Sequence, residues 1–439
     1  MSQFKDIMSN HSPTAPQAVS MSFGRQNVSG GKFTTIIYLI AISICLISCD
    51  PNQTYTNDRY ADTIVINFSD IKESIPVSSL FKKVDFIPLE TNDECLIGEI
   101  DKLLLYNNLF FILDQMTSSL FVFSQKGEFI HKIHQVGEGP DEYIDLDDFF
   151  IDKENNFLIL FADSKLLFYD LHTYKLIKEE KLSPNTSIAY FGDTYVHFLN
   201  NGIWSGKFNI VAKRDGQTIY ESLPISENNV GYTYSSPFPF SQPMDNNEVF
   251  FAEIFNNTIY LLNRDSIIVK YYIDFGNKSL PAKYFESIPV QERTKRVLET
   301  KYCFFLSGYY RNDKLFKFNF LYDGTELNYY NFFDRREEFI FTSFTDDLYL
   351  GVAPWQILYV NNDYVVSFHD VNRFKDGLKS HNMILDKIPE YEKDKESEET
   401  KNFLQSFKIN HELYYETLKE LARKDDEDNY IITKWYYEY

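Results

Sequence analysis

From Thr63 onward the chain is a succession of short apolar runs cut by small polar turns. "TIVINF" (Thr63–Phe68) alternates apolar and polar positions at the two-residue period of a half-buried strand. The rhythm continues through "LLLYNNLFFILD", "SSLFVFSQKGEFIHKI", "FFIDKENNFLILF", "KLLFYDLHTYKLIKEEKL" and "TYVHFLNNGIW". It resumes in "EVFFAEIFNNTIYLLNRDSIIVKYYIDFG", "CFFLSGYYRNDKLFKFNFLYDGTELNYYNFF" and "QILYVNNDYVVSFHD". Each run is about 5–7 residues long and is bounded by Asn, Asp, Gly or Lys-Gly, residues suited to tight turns.

The runs also share an order. An apolar strand follows an Asn/Asp turn ("YNNLFFIL", "KENNFLIL", "DNNEVFFA", "VNNDYVVS"). A strand with aromatics comes next ("SSLFVFS", "SKLLFYD", "NTIYLLN", "DKLFKFN"), and then a more polar one ("QKGEFIHKI", "RDSIIVKYY", "YDGTELNYY"). Strands of the first kind recur near Leu113, Leu160, Leu199, Ala252, Leu306 and Val366, at spacings of 39 to 60 residues. That makes six units, each near the roughly 40–50 residues of a four-stranded blade. One such sheet cannot bury both faces alone, so it stacks on neighbours. The pattern predicts an all-β fold, a six-bladed β-propeller.

Two stretches break the two-residue period. Residues 281–300 read as a helix inserted between the fourth and fifth units. Near the C-terminus, "EYEKDKESEETKN" is charged and reads as a solvated loop. The next segment, "FLQSFKINHELYYETLKELARK", places Leu413, Tyr414, Leu418 and Leu421 on one helical face that packs on the body. "YIITKWYYEY" reads as a closing strand.

The N-terminus sets a compartment. The apolar run Ile36–Ile47 is too short to span a bilayer, which takes about 20 residues, and follows Arg25 and Lys32. It fits the hydrophobic region of a secretory signal, with Met21 as the natural start. The run ends in Leu46-Ile47-Ser48-Cys49, which resembles the bacterial lipobox. There the cysteine thiol takes a diacylglycerol and the small residue before it admits the signal peptidase. Acyl chains such as palmitate contribute about 0.8 kcal/mol per buried methylene. The expected organisation is a signal over 1–48, a lipidated tether over 49–60, and a propeller with a helical tail over 61–439. The expected location is the cell envelope, on the outer membrane.

Composition narrows the partners. The chain has 40 Phe and 32 Tyr, with 17% aromatics, enough for a large packed core. Its net charge of −21 carries no basic stripe, so nothing points to nucleic acid. The alternating Asp/Asn pattern of a calcium loop is absent. Of four cysteines, Cys45 leaves with the signal, Cys49 is acylated, and Cys95 and Cys303 read as buried thiols. No cofactor motif stands out.

Candidate chemistry is sparse. Gly137-Glu138-Gly139-Pro140 lies between strands, in an acidic loop with no Gly-Lys-Ser/Thr, so it is a corner stiffened by Pro140 and not a phosphate cradle. His131 and His134 point to opposite faces of a strand, which prevents joint ligation. Glu138, Asp141, Glu142, Asp145, Asp147 and Asp148 form an acidic stretch. "VGYTYSSPFPFSQP" (Val230–Pro243) alternates Tyr232, Tyr234, Phe238 and Phe240, as strand packing or as a binding face. Trp204 and Trp355 share that ambiguity. The ligand-contact candidates are Trp204, Tyr232, Tyr234, Phe238, Trp355 and Glu142, with Cys49 as the lipid anchor.

Three segments carry a family likeness: Phe81–Asp114, Leu120–Tyr143 and Ile254–Gly276. Within them stand Pro88-Leu89-Glu90-Thr91 and Gly137-Glu138-Gly139-Pro140-Asp141-Glu142-Tyr143. The chain resembles the lipid-anchored six-bladed propeller proteins of anaerobic Gram-negative bacteria, relatives of the NHL-type propellers. The resemblance implies the fold and supplies no catalytic residue. Two departures stand out. Asp141 replaces the family's usual glycine, which predicts a looser corner. Asn429-Tyr430 replaces an asparagine-proline, which predicts weaker docking of the tail. Together these features point to an envelope lipoprotein whose propeller binds a glycan, peptide or protein. The alternative is an exported hydrolase or lyase with a central metal ion.

Overall fold

The computed structural model describes residues 62–139, 141–182, 187–202, 206–233, 238–244, 247–281, 283–392 and 397–438. The described residues belong to one compact unit. Among the described residues the chain is mostly β, arranged in six open sheets of four or five strands. The first three are antiparallel meanders. Sheet one comprises Lys102–Tyr106, Leu109–Asp114, Ser119–Ser124 and Phe129–Ile133. Sheet two comprises Leu146–Asp152, Phe157–Ala162, Lys165–Asp170 and Leu176–Lys181. Sheet three comprises Ser187–Phe191, Thr194–Phe198, Phe208–Arg214 and Gln217–Pro224.

The other three borrow strands from the N-terminal segment. Sheet four joins Val249–Phe251, Thr258–Leu262 and Ile267–Asp274, with Asp62–Val65 added in parallel at its edge. Sheet five joins Phe304–Arg311, Leu315–Tyr322, Thr325–Phe332 and Glu337–Thr345, with Ile71–Pro76 added in parallel. These additions cover edges that would otherwise present unpaired backbone. Sheet six joins Tyr359–Val360, Tyr364–His369 and Ile431–Tyr436 to Lys83–Pro88, so both ends of the domain meet in one sheet.

The apolar residues of each sheet face the next sheet in sequence. One cluster joins sheets one and two through Phe111, Val122, Phe149 and Leu160. Others join two with three (Phe161, Phe168, Ile188), three with four (Val196, Phe198, Phe251) and four with five (Phe250, Tyr271, Phe316, Tyr329). A fifth joins five with six (Tyr330, Phe341, Val365, Trp435), and the last joins six with one (Val366, Ile432, Phe110, Phe121). Central strands therefore bury both faces, which is why "LFFILD" and "SLFVFS" read as near-continuous apolar runs.

The seam in sheet six explains two sequence motifs. Asn429 is buried. Its Oδ1 accepts from Ile97 N (2.8 Å), and its Nδ2 donates to Glu90 O (2.6 Å) and Cys95 O (2.8 Å). Its backbone N donates to Thr91 Oγ1 (2.9 Å). The tail is thus docked firmly without the proline, contrary to expectation. Glu90 Oε2 accepts from Phe129 N, and Gly127, at φ +85°, passes so close that a Cβ there would meet Pro88 O at 2.1 Å. Pro88-Leu89-Glu90-Thr91 is the knot at this seam.

Several expectations need correction. Most of the apolar strands taken as first are second in their sheets, preceded by "KLLLY", "LDDFFID" and "SIAYF". Leu306 instead lies in the first strand of sheet five, where Phe305 and Gly308 take positive φ and the register shifts twice, which hides the period. The 281–300 helix shrinks to Val290–Leu298, because Pro289 sits at its N-cap position. The charged stretch after Glu390 is not simply a loop. A helix spans Val371–Tyr391 and a second spans Glu398–Leu421, and together they form an insertion within sheet six. Only the second was foreseen. In it Leu413 is 59% exposed, and the buried face runs through Leu404, Phe407, Leu418 and Leu421 instead. The steps of three and four along the helix leave Leu413 about 100° away from that face.

Candidate functional site

Strand register fixes which connections share an end. In sheet one Lys102 pairs with Leu113, Asp114 with Ser119, and Leu120 with Ile133, so residue 101, the 115–118 turn and residue 134 lie together. In sheet two Leu146 and Lys165 both pair with Ala162, which places residue 145 beside Asp163. Gln115 Nε2 donates to Asp147 O (2.7 Å), so the two ends coincide. The sheet-to-sheet connections and the helices emerge at this loop end. The opposite end carries short turns such as 107–108, 153–156 and 263–266.

The loop end of sheets one and two is crowded with carboxylates. Asp114 is buried and accepts from Gly98 N (2.7 Å) and from the Thr117 hydroxyl (2.8 Å). Asp101 accepts from Gln115 N (2.7 Å), while burial and nearby Asp114 raise its carboxyl above the usual range. Glu99 is raised by burial and by Asp101 and Asp114. Water reaches Asp147, yet the protein around it and the carboxylates of Asp163, Asp145 and Asp148 push its carboxyl up to about 6. Each carboxylate raises its neighbours because two like charges a few ångströms apart resist joint ionisation. Such a patch attracts cations.

Asp148 turns away from that patch and pairs with Lys102 at 2.6 Å. The Lys102 ammonium also donates to Phe149 O (3.0 Å) and lies over the rings of Phe149, Phe150 and Phe238, at 5.2, 5.1 and 5.6 Å. Phe238 belongs to a segment that reaches many sheets. Phe238 packs against the cluster of sheets one and two. Phe238 and Pro239 wall a cavity of about 20 Å³ with Phe198 of sheet three, Ala252 beside sheet four, and Leu306 and Tyr309 of sheet five. That is room for about one water. Gln242 exchanges two hydrogen bonds with the backbone of Val360 in sheet six, at 2.6 and 3.1 Å. Phe238–Gln242 therefore fills the space between the sheets. Among the described residues no three of His, Cys, Asp and Glu gather to hold a metal.

The predicted ligand contacts separate accordingly. Tyr232 is 6% exposed, stacks on Phe255 (5.9 Å, 2°) and lies beneath the Arg293 guanidinium, which also binds Asn229 Oδ1 at 2.9 Å. The helix Val290–Leu298 covers it, and its hydroxyl meets that of Thr294. Phe238 packs against the cluster of sheets one and two and faces the Lys102 ammonium. The Glu142 Oε2 accepts from Gly139 N (2.7 Å), and a Cβ on Gly137 would meet the same oxygen at 2.0 Å, so the carboxylate closes its own corner. Asp141 takes φ +65°, the conformation its family's glycine would adopt, so the corner stays tight. Tyr143 OH then donates to Ser118 O (3.1 Å) and ties the corner to sheet one. Trp355 is 54% exposed in the connection from sheet five to sheet six. Cys49, Pro140, Trp204 and Tyr234 lie outside the described residues.

His131 and His134 have separate surroundings: His131 stacks on Tyr174 at 4.8 Å, and His134 Nδ1 meets Ser119 Oγ at 2.9 Å. Cys95 and Cys303 are free buried thiols, and burial pushes Cys303 up to about 12. A groove of about 430 Å³ runs along the helical insertion, lined by Lys375, Leu378, Lys379, Asn382, Met383 and Asp386. The sequence missed the Glu99, Asp101 and Asp114 part of the acidic patch. The spacing of these residues within "GEID" and "FILD" before turns was its only signal.

None of the curated proteins matches the chain. Among solved structures it resembles a protein of Bacteroides fragilis NCTC 9343 described as exported, at 18% identity and a TM-score of 0.62, covering 85% of this chain and 98% of the other. It also aligns with a member of the DUF4221 family from Bacteroides vulgatus, at 8% identity and a TM-score of 0.41, over 81% and 96% of the two chains. The family described as a domain of unknown function, DUF4934, matches residues 63–436, and the chain belongs to it.

Proposed function

We propose that this chain is an envelope lipoprotein, held by an acylated Cys49, whose six-bladed propeller binds a partner at its loop end. The propeller reading is supported by the six apolar clusters, each shared by successive sheets, with the last returning from sheet six to sheet one. The shared sheet at the chain's two ends fits a ring sealed by its own termini. The lipobox and the exported relative of like fold support the envelope.

The observation that carries the binding role is the division between a packed middle and a charged rim. Phe238–Gln242 lies between the sheets, and the cavity that Phe238 and Pro239 wall holds about 20 Å³, too little for a substrate. Glu99, Asp101 and Asp147 crowd the rim. A surface of this kind recognises cationic groups on a peptide or protein. The enzyme alternative needs an open middle with converging ligands.

Arrays of glycans and of lysine-rich peptides, probed with the full chain, test this. Lysine-rich peptides should be retained, and retention should fall with added salt and in the variant combining Glu99→Gln, Asp101→Asn and Asp147→Asn. Equal retention by that variant sinks the rim assignment. A metal that co-purifies stoichiometrically favours the enzyme alternative.

A further inference from the structure

The loop end of sheets one and two is apolar as well as acidic. Met116 is 71% exposed in the 115–118 turn, and Ile144 is 55% exposed in the connection between the two sheets. Leu96, in the connection entering sheet one, and Val136 are exposed too. A single exposed aliphatic residue is ordinary, but these four share one surface. The Met116 thioether lies against Gly98, where a Cβ would meet its sulfur at 3.3 Å, two positions from Leu96. Ser118, in the same turn, holds the other connection on both sides of Ile144. Its carbonyl accepts from the Tyr143 hydroxyl (3.1 Å), and its hydroxyl accepts from Leu146 N (3.4 Å). Val136 pairs with Tyr143. The turn carrying Met116 therefore sits between the connection carrying Leu96 and the one carrying Val136 and Ile144.

Carboxylates are interleaved with these aliphatic positions. Glu94 and Glu99 stand on either side of Leu96, Glu138 follows Val136, and Asp145 and Asp147 follow Ile144. The connections 89–101 and 134–145 and the 115–118 turn contain no lysine or arginine. The lysines that open the adjoining strands are engaged elsewhere. Lys102 pairs with Asp148, and Lys165 donates to Glu142 O and pairs with Glu179 at 3.5 Å. The basic residues of the helices Val290–Leu298 and Val371–Tyr391 belong to other connections, so the charge is local to this surface.

We infer that this surface docks an amphipathic basic segment of a protein partner, one in which lysine or arginine alternates with aliphatic residues. This rests on the partner-binding reading above and narrows it. The partner's aliphatic side chains cover Met116, Leu96, Val136 and Ile144, and its cations meet Glu99, Asp101 and Asp147. Neither feature suffices alone. Carboxylates that stay in water hold a cation weakly, because solvent and salt screen the pair. Covering the aliphatic side chains excludes water from the same contact, where charge pairs are screened less. Methionine suits such a surface, since its unbranched thioether adapts to whatever packs on it.

The test titrates the full chain with two peptides of equal length and equal lysine content, one with leucine and one with serine between the lysines. The leucine peptide should bind roughly tenfold or more tightly, a factor that burying one aliphatic side chain supplies. Its affinity should also fall less with added salt. Met116→Ser combined with Ile144→Ser should bring the two peptides to equal affinity. Both positions are exposed, so a urea midpoint matching the native chain checks that the double variant is folded. Leu413→Ser, on the exposed side of the helical insertion, should keep the difference between the peptides. Equal binding of both peptides by the native chain overturns the amphipathic partner and leaves the acidic rim standing. A leucine preference that survives in the double variant also overturns it, by placing the contact elsewhere. Binding of neither peptide sinks the rim reading as well.

Discussion

Asp141 shows how much one position can hide. A non-glycine residue at φ +65° bears a cost that glycine avoids. Asp141→Gly should raise stability by about 0.5–1 kcal/mol, read as a higher urea midpoint with an unchanged slope. A lower midpoint would mean that the aspartate side chain contributes more than its backbone costs. Asn429 works in the opposite sense. Removing its amide strands Ile97 N and the carbonyls of Glu90 and Cys95 in a buried seam. Asn429→Ala should cost about 2–4 kcal/mol, from several buried partners at about 1–3 kcal/mol each with partial relaxation. An effect below about 0.5 kcal/mol, the level of ordinary surface substitutions, would show the seam is held by other contacts. The sequence displayed both residues as departures from a family pattern. Their actual roles depended on backbone angles and on partners hundreds of positions away.

Among the elements, the helical insertion carries a buried histidine pair that makes it sensitive to pH. Gly351, at φ +77°, and Gly377 touch backbone to backbone, which fastens the first helix to the connection before sheet six. His381 is buried between the helices. Its Nδ1 donates to Tyr349 O (2.9 Å), so its Nε2 accepts from His411 Nδ1 (3.0 Å). That arrangement needs a neutral His381, and burial lowers its affinity for a proton. The unfolded histidine titrates near 6.5. Above that pH neither state binds the proton and the contact is intact; as pH falls below it the unfolded chain gains a proton the folded one resists, and stability declines. Asp346 acts oppositely, since burial raises its carboxyl to about 6 and acid relieves that cost. The two separate in a variant. Amide-exchange protection of Val371–Leu421 should drop from pH 7.5 to 5.5 more in the native chain than in His381→Phe. Parallel declines would remove His381 from the account. The helix Val371–Tyr391 escaped sequence reading because Gly377 and Pro389 interrupt it and its apolar face is thin.

At the scale of the whole molecule, stability depends on joining the ends. Ile431–Tyr436 is hydrogen-bonded on one side to Tyr364–His369 and on the other to Lys83–Pro88. Its Trp435 is fully buried, with Nε1 donating to Thr433 Oγ1 at 2.8 Å. Ending the chain after Tyr430 should abolish the cooperative unfolding transition, because sheet six loses its central strand and both neighbouring clusters open. Calorimetry decides this: a truncated chain with a native-like transition would mean the sheets fold independently. The Asp62–Val65 and Ile71–Pro76 strands should matter less, since each adds to an edge and not to a centre.

The alternation of apolar runs, the Asn and Gly turns between them and the closing strand were written in the chain itself, because local periodicity and turn chemistry depend on neighbours a few residues apart. The same holds for the acidic composition and the burial of Cys95 and Cys303. Tertiary structure alone decided that a helix covers Tyr232 and that Glu142 closes its own corner, and that Glu99 and Asp101 crowd Asp114 while Asp147 crowds Asp145 and Asp163. It also decided that the first strand lies parallel on sheet four. Those facts arise from contacts between segments far apart in sequence, whose geometry no local pattern encodes.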